Sequence, residues 1–364
     1  MNVAVLCFHT LGGSGVVAGE LGRELARRGH EVHLVGAALP GRLLPKPDRI
    51  FLHEVPLEEA PPLGAQAFPV LLAAQLTEVV RKHGIELIHA HYAVPHAAAA
   101  LLARAALGPQ APPLVLTLHG SDVPEHATEG HMLLLRRLVR EARAVTVPSA
   151  ALAARAGARL FPELRACVIP NFVDTERFSP GPARTSGRVL FHASNFRPVK
   201  RPVDLVRIFA RVRSQIPATL VLAGDGPERP RVEEEASRLG VAEHVRFAGT
   251  PPDLLPLLRS ADLFLLPSAS ESFGLAALEA LACGVPVVGS RVGGLPEVVG
   301  EAGALFEAGA VEGMALAALR ILDDAAEHAR LRHLARDRAV KLFAAPLILE
   351  RWEALYQRLV KEKR

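Results

Sequence analysis

Three cysteines, Cys7, Cys167 and Cys283, are all that the 364 residues contain. They are odd in number and far apart, which excludes a disulfide framework and any paired zinc spacing. Their apolar neighbours suit buried small hydrophobes in a reducing compartment. Asparagine is as scarce, at Asn2, Asn171 and Asn195 only, and lysine is rare beside arginine. Few amides and many prolines fit a protein adapted to heat. Long apolar runs are missing too: each is broken by Gly, Pro, His or Arg, so no segment reads as a membrane span. Met1-Asn2 leads straight into a strand pattern without a basic leader, and the expected location is cytoplasmic. Charge of one sign is not in excess either. A formal net charge of +4 is too mild to argue for nucleic acid and suits an attractor of small anions. No Asp-x-Asp pair occurs, which speaks against a metal-bridged diphosphate.

What is present is an alternation of short apolar strands and helical segments. Asn2–Cys7 reads as a strand, followed by the glycine loop Leu11-Gly12-Gly13-Ser14-Gly15. A helix over Val16–Arg28 follows, with Val17, Leu21 and Leu25 on one face and Gly29 closing it. Glu31–Val35 completes a βαβ unit. Ile50–His53, Leu87–His89, Leu114–Leu118, Val145–Val147 and Cys167–Ile169 continue the pattern. The Pro/Gly/Ser-rich stretch Ser179–Gly187 interrupts it and marks a domain boundary. Strands resume at Val189–His192, Thr219–Ala223, Val245–Phe247, Leu263–Leu266, Val285–Gly289 and Ala304–Phe306. A last helix from about Pro346 carries Trp352, Leu355 and Leu359 on one face. The expected fold class is α/β: an N-terminal Rossmann-like domain over 1–178, a second over 179–345, and a C-terminal helix over 346–364 packing back on the first.

Four constellations carry chemistry. The first is Gly12-Gly13-Ser14-Gly15 ahead of a helix, where backbone N–H groups and the dipole can meet an anion. Its spacing is neither the dinucleotide fingerprint nor a P-loop, and alone it reads equally as a tight turn. The second, Asn195-Phe196-Arg197-Pro198-Val199-Lys200-Arg201, sets three cations at a strand's carboxyl end, where open α/β sheets bind ligands and where cations would stabilise a departing diphosphate. A solvated basic turn is the plainer reading. The third is the most specific. Glu271 sits in a loop, Ser272-Phe273-Gly274 opens a helix, and Glu279 follows two turns on. Two carboxylates near one helix start can accept from sugar hydroxyls at two places on an extended ligand. The fourth is His89, His91, His96 and His119 at strand ends. Counting alone allows a metal there, but no carboxylate or cysteine completes a ligand set, and no metal is expected.

With Glu271-x7-Glu279, Gly284-Val285-Pro286-Val287 and Gly293-Gly294-Leu295-Pro296-Glu297, the chain resembles glycosyltransferase family 4. The resemblance also takes in Ile169–Asp174 and Ala223–Pro227 and spans nearly the whole chain. It implies a GT-B fold, two doubly wound domains facing a central cleft, and retaining transfer from a nucleotide sugar. Ile88–Ala97, Leu118–Asp122 and Ser194–Arg201 resemble most a branch of that family acting in bacillithiol biosynthesis. That resemblance implies UDP-N-acetylglucosamine as donor, L-malate as a small anionic acceptor, and no cofactor. It implies that Glu279 holds the ribose and that Glu271, with the N–H groups of Ser272, Phe273, Gly274 and Leu275, holds the transferred sugar. Lys200 and Arg197 would face the diphosphate, with Gly13 against it and His119 near the reacting face. Much of the family has Arg where Asn195 stands, so Arg197 is expected to supply that charge. His119, Lys200 and Glu271 are the expected catalytic groups. Ser14, Tyr92, Ser121 and Arg136 are the candidates for the acceptor, Arg136 being equally an exposed helix cation. No carboxylate pair is spaced for double displacement, and the resemblance implies a front-face transfer, the leaving phosphate taking the acceptor's proton. Another family 4 transferase using an inositol phosphate, lipid or polysaccharide acceptor stays open. So do a GT-B sugar-nucleotide epimerase and a homodimeric assembly.

Overall fold

The computed structural model describes residues 1–8, 13–38, 43, 46–55, 68–182 and 187–363. The chain divides into two compact units, Met1–Pro170 with Ile348–Arg364, and Asn171–Leu347. The N-terminal unit runs β1 (Asn2–Leu6), α1 (Ser14–Arg27), β2 (Glu31–Gly36), β3 (Ile50–Glu54), α2 (Phe68–His83), β4 (Leu87–His91), α3 (Ala98–Leu107), β5 (Leu114–Thr117), α4 (Glu129–Glu141), β6 (Ala144–Val147), α5 (Ala150–Arg159) and β7 (Cys167–Val168). Its strands form one sheet in the order β3-β2-β1-β4-β5-β6-β7, and every pairing is parallel. All five residues of β4 and all four of β5 are buried, as expected of parallel strands covered on both faces.

The second unit runs β8 (Arg188–Ala193), α6 (Pro202–Arg213), β9 (Ala218–Ala223), α7 (Arg229–Arg238), β10 (Val245–Gly249), α8 (Leu255–Ser260), β11 (Leu263–Leu266), α9 (Leu275–Ala282), β12 (Val287–Ser290), α10 (Leu295–Val299), β13 (Gly303–Phe306), α11 (Val311–Asp323) and α12 (Ala325–Phe343). Its sheet order is β10-β9-β8-β11-β12-β13, again all parallel. Successive strand residues feed opposite faces: Leu190 packs in one core and Phe191 in the other. At about 1.5–3 kcal/mol for each large apolar side chain fully buried, these two layers dominate the unit's stability.

The last helix, α13 (Ala345–Lys363), belongs from Ile348 onward to the N-terminal unit. Trp352, Leu355, Tyr356 and Leu359 are buried there. Glu353 accepts from Arg28 at 2.7 Å and pairs with His30 Nε2 at 2.9 Å, fixing the helix beside the end of α1. The division between units falls at Pro170–Asn171, ahead of the Pro/Gly-rich stretch. Inside the second unit, Val173 N–H donates to the Phe343 carbonyl at 3.0 Å and Ala345 N–H to the Val173 carbonyl at 3.1 Å. Arg259 holds Ser179 as well, donating to its carbonyl at 3.0 Å and its hydroxyl at 2.9 Å. Ala183–Ser186 lie outside the described residues, as do Leu11 and Gly12 of the glycine loop.

Two expectations are corrected. Cys283 is buried, but Cys167 is exposed and Cys7 only partly covered, so the three thiols do not share one setting. Cys167 lies on the two-residue β7 at the sheet edge. Val285 also belongs to no strand. Its N–H donates to the Ala280 carbonyl at 2.9 Å across Gly284 at φ 71°, the six-to-one closure of α9. Strand β12 starts after Pro286, at Val287.

Candidate active site

Each sheet has one place where its strand order reverses, and in open α/β sheets ligands bind outside the carboxyl ends there. In the second unit it lies between β8 and β11. The loop after β8 carries Asn195, Arg197 and Lys200; the loop after β11 carries Glu271. The two are stitched together, Ala269 N–H donating to the Val199 carbonyl at 2.7 Å. Lys200 Nζ then meets Glu271 Oε1 at 2.7 Å, and Ser268 donates to the same oxygen at 2.8 Å. Glu271 is buried at 9% exposure, while Asn195 and Arg197 are exposed.

Backbone geometry holds both loops. Gly224 (φ 113°) passes under the first loop, where an added Cβ would lie 1.7 Å from the Ser194 carbonyl oxygen. Gly293 (φ 50°) does the same under the second, 1.8 Å from the Glu271 carbonyl oxygen. Only a residue without Cβ fits either approach. Gly274, at φ 97°, turns the chain into α9 and, as the N-cap residue, brings no capping side chain of its own. The helix start thus offers backbone N–H groups and the positive dipole end. Ser272 and Leu275 are partly exposed beside it, and Phe273 turns its ring into the core, edge-on to Phe343 at 5.8 Å, leaving its backbone for the site. Glu279 is buried on α9 at 3% exposure.

In the N-terminal unit the reversal lies between β1 and β4. Gly13 (φ 57°) and Ser14 open α1 after β1, and Tyr92, at φ 88°, follows β4. Tyr92 stacks on His119 (centroids 5.4 Å apart), and its hydroxyl hydrogen-bonds Ser121. His91 Nδ1 lies 3.0 Å from His119 Nε2. Behind them His89 is fixed through Nδ1 to the Tyr356 hydroxyl (2.7 Å) and through Nε2 to Thr117 (2.6 Å). The buried Asp122 carboxylate accepts from the His119 and Gly120 N–H groups at 2.9 and 2.8 Å and so shapes the turn.

Desolvation sets the charges of this array. Burial, with His119 nearby, pushes His89 down to about 3. Burial, with His96 nearby, pushes His119 down to about 3. His96 falls to about 4 and His91 well below the ordinary value, again chiefly through burial. Asp122 goes up to about 6 for the same reason, against its backbone hydrogen bonds. At neutral pH the imidazoles are therefore uncharged and act as hydrogen-bonding groups. His91 Nε2 and His96 Nδ1 are buried with no partner.

The four expected histidines offer no three ligand atoms converging on one point. Among the described residues that geometry occurs at His33, His53 and His83 instead. Of the expected acceptor residues, Tyr92 and Ser121 come together with His119. Arg136 is engaged elsewhere, its Nε donating to the Leu160 carbonyl at 2.7 Å. The cation that does reach this turn is Arg155 of α5, whose Nη2 donates to the Gly120 carbonyl at 2.7 Å. Sequence reasoning missed it, because no motif marks a helix arginine that binds a backbone carbonyl.

The chain is similar to known proteins over its whole length. Residues 11–177 match the family described as Glycosyltransferase Family 4, and residues 187–324 that described as Glycosyl transferases group 1. The chain is 34% identical to the N-acetyl-alpha-D-glucosaminyl L-malate synthase of Bacillus anthracis, over 100% of this chain and 98% of that protein. It is 32% identical to a D-inositol 3-phosphate glycosyltransferase of Saccharomonospora viridis, over 82% and 80%. Among solved structures, the sucrose-phosphate synthase of Thermosynechococcus elongatus superposes with a TM-score of 0.83 at 22% identity, covering 100% of both chains. Anabaena HepE in complex with UDP-glucose gives 0.80 at 24% identity, covering 98% of this chain and 100% of that one. These likenesses establish the GT-B type of fold. With two Rossmann-like units, both family matches and 34% identity over the whole chain to one relative, the chain belongs to glycosyltransferase family 4.

Proposed function

We propose that this protein transfers N-acetylglucosamine from UDP-N-acetylglucosamine to L-malate with retention at the anomeric carbon. The observation that carries the donor half is the Lys200–Glu271 pair at the reversal point of the second sheet. Each partner there balances the other's charge until a ligand supplies both with new ones. A diphosphate draws the ammonium of Lys200, joined by the exposed Arg197 and by Asn195. Glu271, released, accepts from hydroxyls of the sugar, while the N–H groups from Ser272 to Leu275 serve the phosphate end. Glu279 takes the ribose hydroxyls.

The 34% identity, over the whole chain, to the N-acetyl-alpha-D-glucosaminyl L-malate synthase of Bacillus anthracis supports the acceptor half. So do Tyr92, Ser121 and Ser14, which offer donors to a small dianion, and Arg155, whose hydrogen bond to the Gly120 carbonyl brings a positive charge to the same turn. In the transfer the bond from the anomeric carbon to the diphosphate oxygen breaks as malate's hydroxyl oxygen attacks the same face. The hydroxyl proton passes to the departing phosphate. The chain's part is positioning and charge stabilisation, without a divalent ion. No helix among the described residues is long and apolar enough to cross a membrane, and a nucleotide-sugar donor with a metabolite acceptor fits work in the cytoplasm.

The test is UDP release from UDP-N-acetylglucosamine in EDTA, with and without L-malate, followed by the anomeric configuration of the product. Malate-dependent release giving the α-anomer is expected. Release that ignores malate but responds to an inositol phosphate would move the chain to the acceptor class of its Saccharomonospora viridis relative.

A further inference from the structure

One cluster of histidines lies away from the groups just described. His33 is on β2, His53 on the edge strand β3, and His83 is the last residue of α2. The register pairs His33 with Phe51 and Val35 with His53, so the two strand histidines stand two residues apart in register on one sheet face. The end of α2 brings the third. Asn2 clamps that end, its side-chain amide donating to the His83 carbonyl at 2.9 Å.

One ring nitrogen from each histidine lies within 4.8 Å of the other two, and His33 Nδ1 is 2.9 Å from His53 Nε2. The rings are 4.8–5.1 Å apart, centroid to centroid. His33 is buried at 2% exposure and its Nε2 has no hydrogen-bond partner among the described residues. His83 is exposed, which leaves a path from solvent. Such an arrangement disfavours three protons. Desolvation, with the neighbouring rings, pushes His33 down to about 4 and lowers His53. Neutral imidazoles are what a transition metal binds.

We propose that His33, His53 and His83 form a binding site for one divalent transition-metal ion of the zinc class. Three imidazole nitrogens suit zinc, copper, nickel or cobalt and not magnesium or calcium, which take oxygen. Nitrogens about 2 Å from a tetrahedral ion stand roughly 3.3 Å apart, so side-chain rotations close the observed span. Water takes the fourth position on the exposed side. The ion ties β2, β3 and the end of α2 together, and its role is structural.

The test uses the full-length protein without a histidine tag, stripped with EDTA and dialysed. Zn²⁺ binding is measured by competition with a chromogenic chelator, and Co²⁺ binding by its visible d–d absorption. One ion per chain is expected, with a rise in Tm that EDTA reverses. Loss of even an outer-shell partner costs metal sites roughly 10–100-fold in affinity. His83→Ala and His53→Ala should therefore each weaken binding at least that much, while His119→Ala leaves it intact. His83 is exposed, so its variant keeps the test open if His53→Ala folds poorly. No saturable ion, or an ion that survives both variants, overturns the site. Either result is independent of whether malate is the acceptor.

Discussion

At the scale of single residues, the proposed donor site depends on charge placed where a diphosphate leaves. Lys200→Ala removes the ammonium and leaves the Glu271 carboxylate its hydrogen bond from Ser268. We expect kcat to fall on the order of 10²–10³, the usual consequence of losing one preorganised stabilising group. Unchanged turnover would remove Lys200 from the mechanism. Glu279→Ala acts on a part of the donor remote from the reacting carbon, so KM for the donor should rise more than kcat falls. Both positions stand out in the sequence because each follows an apolar strand, and their proposed roles rest on the family resemblance. Arg155 does not. Its partner is a carbonyl, which every residue offers, so nothing in the sequence distinguishes it from Arg136. The same limit hid the triad of His33, His53 and His83, whose members meet only once β2, β3 and α2 are packed.

At the scale of elements, the strands were readable because a parallel sheet covered on both faces demands continuous apolar runs. Their ends were less so, since backbone partners decide them. Val285 has a strand former's side chain, yet its N–H closes α9. Loop shape follows the same logic. Gly293→Ala would force a φ of 50° on a residue with Cβ and set that atom 1.8 Å from the Glu271 carbonyl oxygen. The loop must move. The variant should lose more than about 1 kcal/mol, read as a fall of roughly 2–4 °C or more in Tm. Turnover should drop although no group that touches substrate is altered. Wild-type stability and turnover in this variant would mean that the Glu271 loop is not held from below.

At the scale of the whole molecule, the two units should respond differently to acid. The N-terminal unit holds His33, His53, His89, His91, His96 and His119 with lowered pKa values, and the second unit His192, at about 4, and His328. Each folded value lies below the unfolded value near 6.5, so the unfolded chain binds more protons as pH falls. The stabilisation is complete above about 6.5 and is lost as pH drops toward the folded values, at about 1.4 kcal/mol per pH unit for each proton. Asp122, raised to about 6, works the other way, its contribution fading as pH rises through that value. Six histidines outweigh one carboxyl. Trp352, the chain's single tryptophan, packs 5.0 Å from His89 and so reports the N-terminal unit alone. Its fluorescence should change at a higher pH than the far-ultraviolet dichroism of the whole chain. Coincident transitions would show that the units unfold together.

The return of α13 to the N-terminal unit also has a consequence for the order in which the molecule is made. A ribosome delivers residues 1–170 first, then all of the second unit, and only then the segment bearing Trp352 and Tyr356. Domains generally fold as they emerge. Here the first to begin is the last to finish, for His89 waits through some 267 residues of synthesis for the hydroxyl that closes its hydrogen bond. The second unit, contiguous in sequence, can complete its fold in that interval.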